Sequence, residues 1–212
     1  MNSQSKSVMA LLAIFFAVFA WSVYRPHDYF TWFLEVVPAL SALVVLTATY
    51  PRFQFTTPMY CIILLHAIVL FVGGHYTYAE VPVGNWVRDY LHLSRNHFDR
   101  LGHFLQGFTP ALFFRELLLR QRIVRRGGWL AFLVFSISMM VSATYELFEY
   151  AMSAATGTAA DAFLGTQGDP WDTQKDMLMC MIGSLTALIV FSRRQDRWIE
   201  KLEPARQAAH ST

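Results

Sequence analysis

Apolar residues along this chain come in blocks rather than alternating with polar ones: Val8 to Val23, Tyr29 to Ala48, Met59 to Val72, Phe104 to Phe114, Trp129 to Tyr145 and Met177 to Phe191. A block of about 20 residues crosses a hydrocarbon core as an α-helix, at a rise of about 1.5 Å per residue. The pattern predicts an all-α fold, a polytopic membrane helix bundle of about six transmembrane helices in a single integral membrane domain, residues 1–212. The expected helices lie at about 8–24, 29–49, 58–75, 97–119, 129–152 and 172–192. The fourth is carried outward to His97 by a polar turn. In the first, Lys6 precedes an apolar run and Val18-Phe19-Ala20 resembles a cleavage site, but the run continues through Trp21 to Val23, which predicts an uncleaved helix.

Composition agrees with this pattern, because 55% of the 212 residues are hydrophobic and only 15% charged, the wrong balance for a soluble globular domain. Cys61 and Cys180 both fall inside spans, where a thiol is a small packing residue. The net charge of +2 says little as a sum, but its distribution orients the chain. Arg115, Arg120, Arg122, Arg125 and Arg126 crowd the loop after the fourth span, and Arg193, Arg194, Arg197 and Lys201 follow the sixth. The positive-inside rule makes both segments cytoplasmic, and an even number of spans then makes both termini cytoplasmic. Asp28, Glu80, Asp89, Asp161, Asp169 and Asp172 all fall in outer segments. Because the arginines sit beside membrane ends, orientation and anionic lipid account for them, so membrane lipids are the expected partners and no nucleic acid is expected.

Topology brings three sets of ionisable residues to one depth. Asp99 and His103 are four apart at the outer end of the fourth helix and share a face. Glu146 and Glu149 lie late in the fifth helix, Glu146 about 25 Å along its axis from Trp129, and therefore also near the outer surface. The sixth helix starts there with Asp172 and Asp176. Ionisable groups inside a membrane face the bundle interior and mark function.

Simpler roles stand beside that reading. Asp169 before Pro170 has the form of a helix cap, with Asp172 as the reciprocal member of a capping box. Glu146 and Glu149 have an ion pair with Arg95 or Arg100 as their alternative to a metal, and His103 alone is compatible with a hydrogen-bonded bundle histidine. Asp176 lies a turn deeper than any cap. Ser94 or Asn96 is the expected cap of the fourth helix, with His97 at its boundary, and His66 is expected to be a packed histidine. Gly102, Gly107 and Gly183 are small residues of the kind that let helices pack closely. Pro110 leaves the carbonyl of Gln106 without its helical donor.

The segments His97-Phe98-Asp99-Arg100-Leu101-Gly102-His103, Arg115-Glu116, Tyr145-Glu146-Leu147-Phe148-Glu149 and Gly165 to Met177 together resemble the YjdF-like bacterial inner-membrane proteins. The resemblance implies a multi-pass fold in the bacterial cytoplasmic (inner) membrane and carries no activity with it. A looser likeness is to VanZ-like membrane proteins, which match at Asp99 and His103, Glu146, Asp172 and Asp176, and Gly183. Their association with glycopeptide resistance implies chemistry on the cell envelope.

The leading expectation is an outward-facing site with Asp99, His103, Glu146, Glu149, Asp172 and Asp176 as metal ligands, and with Asp99, His103, Glu146 and Asp176 as the catalytic groups. Oxygen-rich donors with an imidazole suit a divalent metal, Mg, Mn, Fe or Zn. Such a site would hydrolyse or transfer a group on a lipid or envelope precursor. The alternatives are a proton- or cation-coupled transporter and a non-catalytic membrane partner in which the cluster locks three helices together. The absence of an internal repeat and of a second cluster at the inner end speaks against transport.

Overall fold

The computed structural model describes residues 3–157 and 161–210 and is helical, with no strand among these residues. Its elements are α1 (Ser3–Val23), α2 (Tyr29–Thr49), α3 (Thr57–Tyr76), a 3-10 turn (Tyr78–Glu80), α4 (Pro82–Tyr90), α5 (Phe98–Arg120), α6 (Gly128–Thr156), α7 (Asp161–Leu164), α8 (Asp172–Thr186) and α9 (Ser192–His210). A π-helical stretch, Ala187–Phe191, joins α8 to α9 without a break.

Five helical segments are long and apolar enough to cross a membrane: Gln4–Val23, Tyr29–Thr49, Thr57–Tyr76, Gly128–Thr156 and Asp172–Leu202. The remaining expected span, α5, has the length at 23 residues but carries Asp99, Arg100, Arg115, Glu116 and Arg120. Its place in the bundle explains that composition. α5 packs on α8, α6 and α3, while α1 and α2 pack on α3. Asp99, Arg100, Arg115 and Glu116 are all buried, so neighbouring helices rather than apolarity shield α5 from its surroundings. A count based on length and apolarity alone therefore stops at five.

Glycine sets the closest of these contacts. A Cβ on Gly107 would run into the backbone carbonyl of Cys180, and one on Gly183 into that of Phe104, so α5 and α8 cross backbone to backbone. Gly107→Ala is expected to cost about 1–3 kcal/mol despite the better helix propensity of alanine. At Gly102 the added carbon would meet only the Tyr78 ring, at 3.1 Å. Gly102→Ala should therefore shift thermal unfolding in detergent much less than Gly107→Ala does.

The loop after α3 holds an element that the block pattern does not predict. Proline opens α4, and Val83, Trp86, Val87 and Tyr90 share one side of it, with Trp86 71% and Tyr90 83% exposed. Nine residues are too few for a block signal, and the cue was the i, i+4 spacing of Trp86 and Tyr90. α6 also runs four residues past the expected 152, and the last helix continues well past 192. Within the small-residue segment from Met152 to Gln167, residues 158–160 lie outside the described residues.

The end of the bundle expected to face the cytoplasm corrects one expectation, since a second ionic cluster is present there. Glu116, fully buried, accepts from the Thr56 backbone N–H at 2.7 Å, the Thr56 hydroxyl at 2.8 Å and Arg120 at 2.8 Å. Arg120 also donates to the Gln54 carbonyl at 2.7 Å and covers the Phe53 ring. Arg115 donates to Gln195 at 3.0 Å and Asp196 at 2.9 Å, and Gln195 donates to the Leu112 carbonyl at 2.6 Å. Both Glu116 oxygens are hydrogen-bonded in this cluster, which ties α5 to the α2–α3 connection and to α9. Glu116 and Arg120 are four apart on one helix, but their partners Thr56 and Gln54 lie on another connection about 60 residues away.

Candidate functional site

The N-terminal end of α5, expected to be the outer one, is positioned by amides. Asn96 Oδ1 accepts the Phe98 N–H at 2.9 Å, one residue before the position of a standard N-cap, while its Nδ2 donates to Val81 O and Asn85 Oδ1, both at 3.0 Å. Gln167 pairs with the Asn96 backbone in both directions, accepting from its N–H at 3.1 Å and donating to its carbonyl at 2.9 Å. This fixes the start of α5 against α4 and the segment before α8, and it sets the direction in which Asp99 and His103 face.

Two arginines form the outermost layer. Arg95 donates to Asp172 Oδ1 at 2.6 Å and to the carbonyls of Gly165 and Thr166. Arg100 bonds Asp172 Oδ1 at 2.5 Å and pairs with Asp176. Asp169 lies 3.6 Å from each guanidinium. It also accepts from Lys175 at 2.6 Å and from the Trp171 backbone N–H at 3.0 Å, which hold its carboxyl below the usual carboxylate range. α8 begins at Asp172, so Asp169 caps the turn before the helix rather than the helix itself, and Pro170 precedes the first helical position. The arginines serve the aspartates, and neither Glu146 nor Glu149 has an arginine or lysine partner among the described residues.

His103 lies immediately beneath. Its Nδ1 is 3.1 Å from Gln106 Oε1, a contact in which Nδ1 donates. Nε2 is 3.4 Å from Asp99 Oδ1 and 3.6 Å from Asp176 Oδ1, and the three donor atoms lie within 4.8 Å of one another. All three residues are buried. Glu146 Oε1 is 3.7 Å from the other ring nitrogen.

The structure thus brings Asp99, His103 and Asp176 into one group with Glu146 beside it. Asp172 is engaged by both arginines, and Glu149 faces a neighbouring cavity. His97 is exposed, and His66 lines that cavity instead of being closed into the packing.

Several buried polar atoms at this end lack a hydrogen-bond partner, namely Asp99 Oδ2, both Glu146 oxygens and Ser142 Oγ. Such atoms are uncommon in native interiors, and each needs a reason. They contrast with the inner cluster, where both carboxylate oxygens of Glu116 are bonded.

The cavity, about 990 Å³, has Asp99, His103 and Glu149 at its outer end, together with Glu35 of α2, Tyr78 and Tyr145. Tyr145 donates to Glu35 Oε2 at 3.3 Å. Burial, and secondarily the Glu35 carboxylate, push the Tyr78 phenol well above the ordinary tyrosine range. The block pattern did not single out Glu35, although it is the one charged residue inside the 29–49 span and was detectable as such.

Against known proteins, the chain matches the family described as "Predicted membrane protein (DUF2238)" over residues 7–197. It is 49% identical over 175 residues to the inner membrane protein YjdF of Escherichia coli (strain K12), an alignment covering 82% of this chain and 84% of that protein. No solved structure gives a significant match.

Proposed function

The chain belongs to the DUF2238 family of membrane proteins, and from that premise we propose that it is an inner-membrane enzyme whose outer polar site uses a divalent metal to hydrolyse or transfer a group on a lipid or envelope precursor. One observation carries the reading: a buried histidine and two carboxylates converge with donor atoms 3.4 and 3.6 Å apart, beside Glu146, which has no arginine or lysine partner among the described residues. Ligands about 2.0–2.2 Å from a common metal stand roughly 3–3.5 Å apart along a coordination edge, which matches this spacing.

His103 Nε2, Asp99 and Asp176 would hold the metal, with Gln106 fixing the imidazole tautomer. Three protein ligands leave positions open for water and substrate, so the metal would activate one or polarise the other. Glu146, unpaired and adjacent, is placed to take the proton from an attacking water. Mg, Mn, Fe and Zn all suit such a donor set.

The test is elemental analysis of purified protein from several growth media. Wild type is expected to hold about one metal per chain, with Asp99→Ala and His103→Ala losing most of it while remaining folded. Metal-free wild type from every medium would sink the reading.

Orientation belongs to the same proposal. Both termini and the Arg115–Arg126 segment are assigned to the cytoplasm, which places the site at the periplasmic surface. A fusion reporter after Arg126 should report the cytoplasmic side, and an outer location would reverse the assignment. Transport retains one supporting observation, since the cavity reaches from Asp99 to Pro51 near the inner end. Metal-dependent turnover without ion flux in vesicles would separate the two readings.

A further inference from the structure

The cavity is longer than a metal site needs. It touches α2 from Glu35 to Tyr50, about 22 Å along a helix axis. Apart from its outer end the walls are mostly apolar, including Ala42 on α2, Phe113 on α5 and Val141 on α6, with Ser41, Thr47, His66 and Thr109 among the polar exceptions. Met9 and Val45 also line it, and both are more than half exposed and lie inside membrane-spanning segments. The opening therefore faces hydrocarbon. A space this apolar holds water poorly, and the occupant at hand on that side is a lipid tail.

The outer end limits which lipid fits. Glu35, Asp99, Glu149 and His103 line it, whereas Arg95 and Arg100 do not; they bond Asp172 and Asp176, and their guanidiniums also stand 3.9 and 3.8 Å from Asp99 Oδ2. Asp99 therefore already has cationic neighbours, whereas Glu35 and Glu149 have no arginine or lysine partner among the described residues. Two acids without a guanidinium partner favour a head group ending in an ammonium over one that is purely anionic.

We infer that this cavity is a binding site for an amine-bearing phospholipid, which enters sideways from the bilayer, lays an acyl chain between α2 and the α5–α6 wall, and presents its ammonium group to Glu35 and Glu149, the acids outside the metal-holding group. The inference rests on the enzymatic reading for what happens next, but not for the binding itself. It supplies a substrate class and an entrance, and it gives Glu35 a role in recognising the head group.

The experiment places the full-length protein in nanodiscs of phosphatidylethanolamine and phosphatidylglycerol in equal amounts. In separate arms, one or the other lipid carries a photoactivatable acyl chain, and adducts are mapped by mass spectrometry. Adducts are expected on the cavity wall, more from the ethanolamine arm. Ala42→Trp should lower them about tenfold, the effect of displacing roughly two buried methylenes. Val44→Trp, on the exposed side of the same helix, should leave them unchanged. If Ala42→Trp does not yield monodisperse protein, Val141→Trp obstructs the cavity from the opposite wall.

Labelling spread over the lipid-facing surface and indifferent to either plug would overturn the site. Equal labelling in the two arms, or more from the glycerol arm, would overturn the head-group assignment. Metal content measured on the same samples separates the two proposals: metal retained without wall labelling sinks this inference alone, and labelling without metal sinks the enzymatic reading alone.

Discussion

Arg100→Ala is expected to destabilise the protein by about 3–5 kcal/mol, the cost typical of removing one partner from a buried ion pair. Arg100 is the arginine bonded to Asp176 and shares Asp172 with Arg95. Its removal leaves Asp172 with Arg95 but deprives Asp176 of its guanidinium. Asp176 is then a buried carboxylate left with the His103 ring, 3.6 Å away, in place of a guanidinium. The penalty arises from desolvation of the orphaned charge rather than from the worth of the original pair.

It follows that Arg100→Leu combined with Asp176→Leu should be much more stable than Arg100→Leu alone, because the double substitution leaves no unpaired charge. Thermal unfolding of the three proteins in one detergent makes the comparison. A loss below about 1 kcal/mol for Arg100→Ala would mean that water reaches the pair and screens it, in the manner of surface pairs.

The arginine layer also shows where sequence reasoning stops. That Asp99 and His103 share a face follows from the helical repeat, and the common depth of Asp99, Glu146 and Asp176 follows from span order and length. Both are properties of single helices in a slab. Which arginine meets which acid depends on how α5, α6 and α8 are rotated about their axes, and the rotation is set by the Gly107 and Gly183 contacts and the Asn96–Gln167 pairing. Sequence spacing therefore allowed Arg95 and Arg100 to serve Glu146 and Glu149, whereas the folded chain gives them to Asp169, Asp172 and Asp176.

For the same reason Glu35 could be recognised as an ionisable residue in a span but not joined to Tyr145, which lies on a different helix far along the chain. The inner cluster was illegible for another reason. Arg115 and Arg120 fit the topology as cytoplasmic charges so well that nothing in the pattern called for a buried role.

The two buried glutamates at opposite ends of the bundle should respond in opposite ways to the same change. Glu116→Leu removes a carboxylate that accepts from the Thr56 backbone, the Thr56 hydroxyl and Arg120. It strands the Thr56 donors and a buried guanidinium, and the expected loss is about 3–5 kcal/mol. Glu146→Leu removes a carboxylate whose polar partners among the described residues are only the Thr173 side chain and the His103 ring at 3.7 Å, so it strands little and ends an unfavourable desolvation. Its unfolding temperature should equal or exceed wild type, by an amount corresponding to about 0–2 kcal/mol.

A group kept at a cost to stability is retained for what it does, and functional sites are where local rules of satisfaction are broken. Should Glu146→Leu lose as much stability as Glu116→Leu, the outer cluster would be a lock like the inner one and the enzymatic reading would lose its base. A stable Glu146→Leu protein that retains its metal but fails to turn over the lipid would instead separate the proton acceptor from the ligands, leaving Asp99, His103 and Asp176 as the metal-holding set.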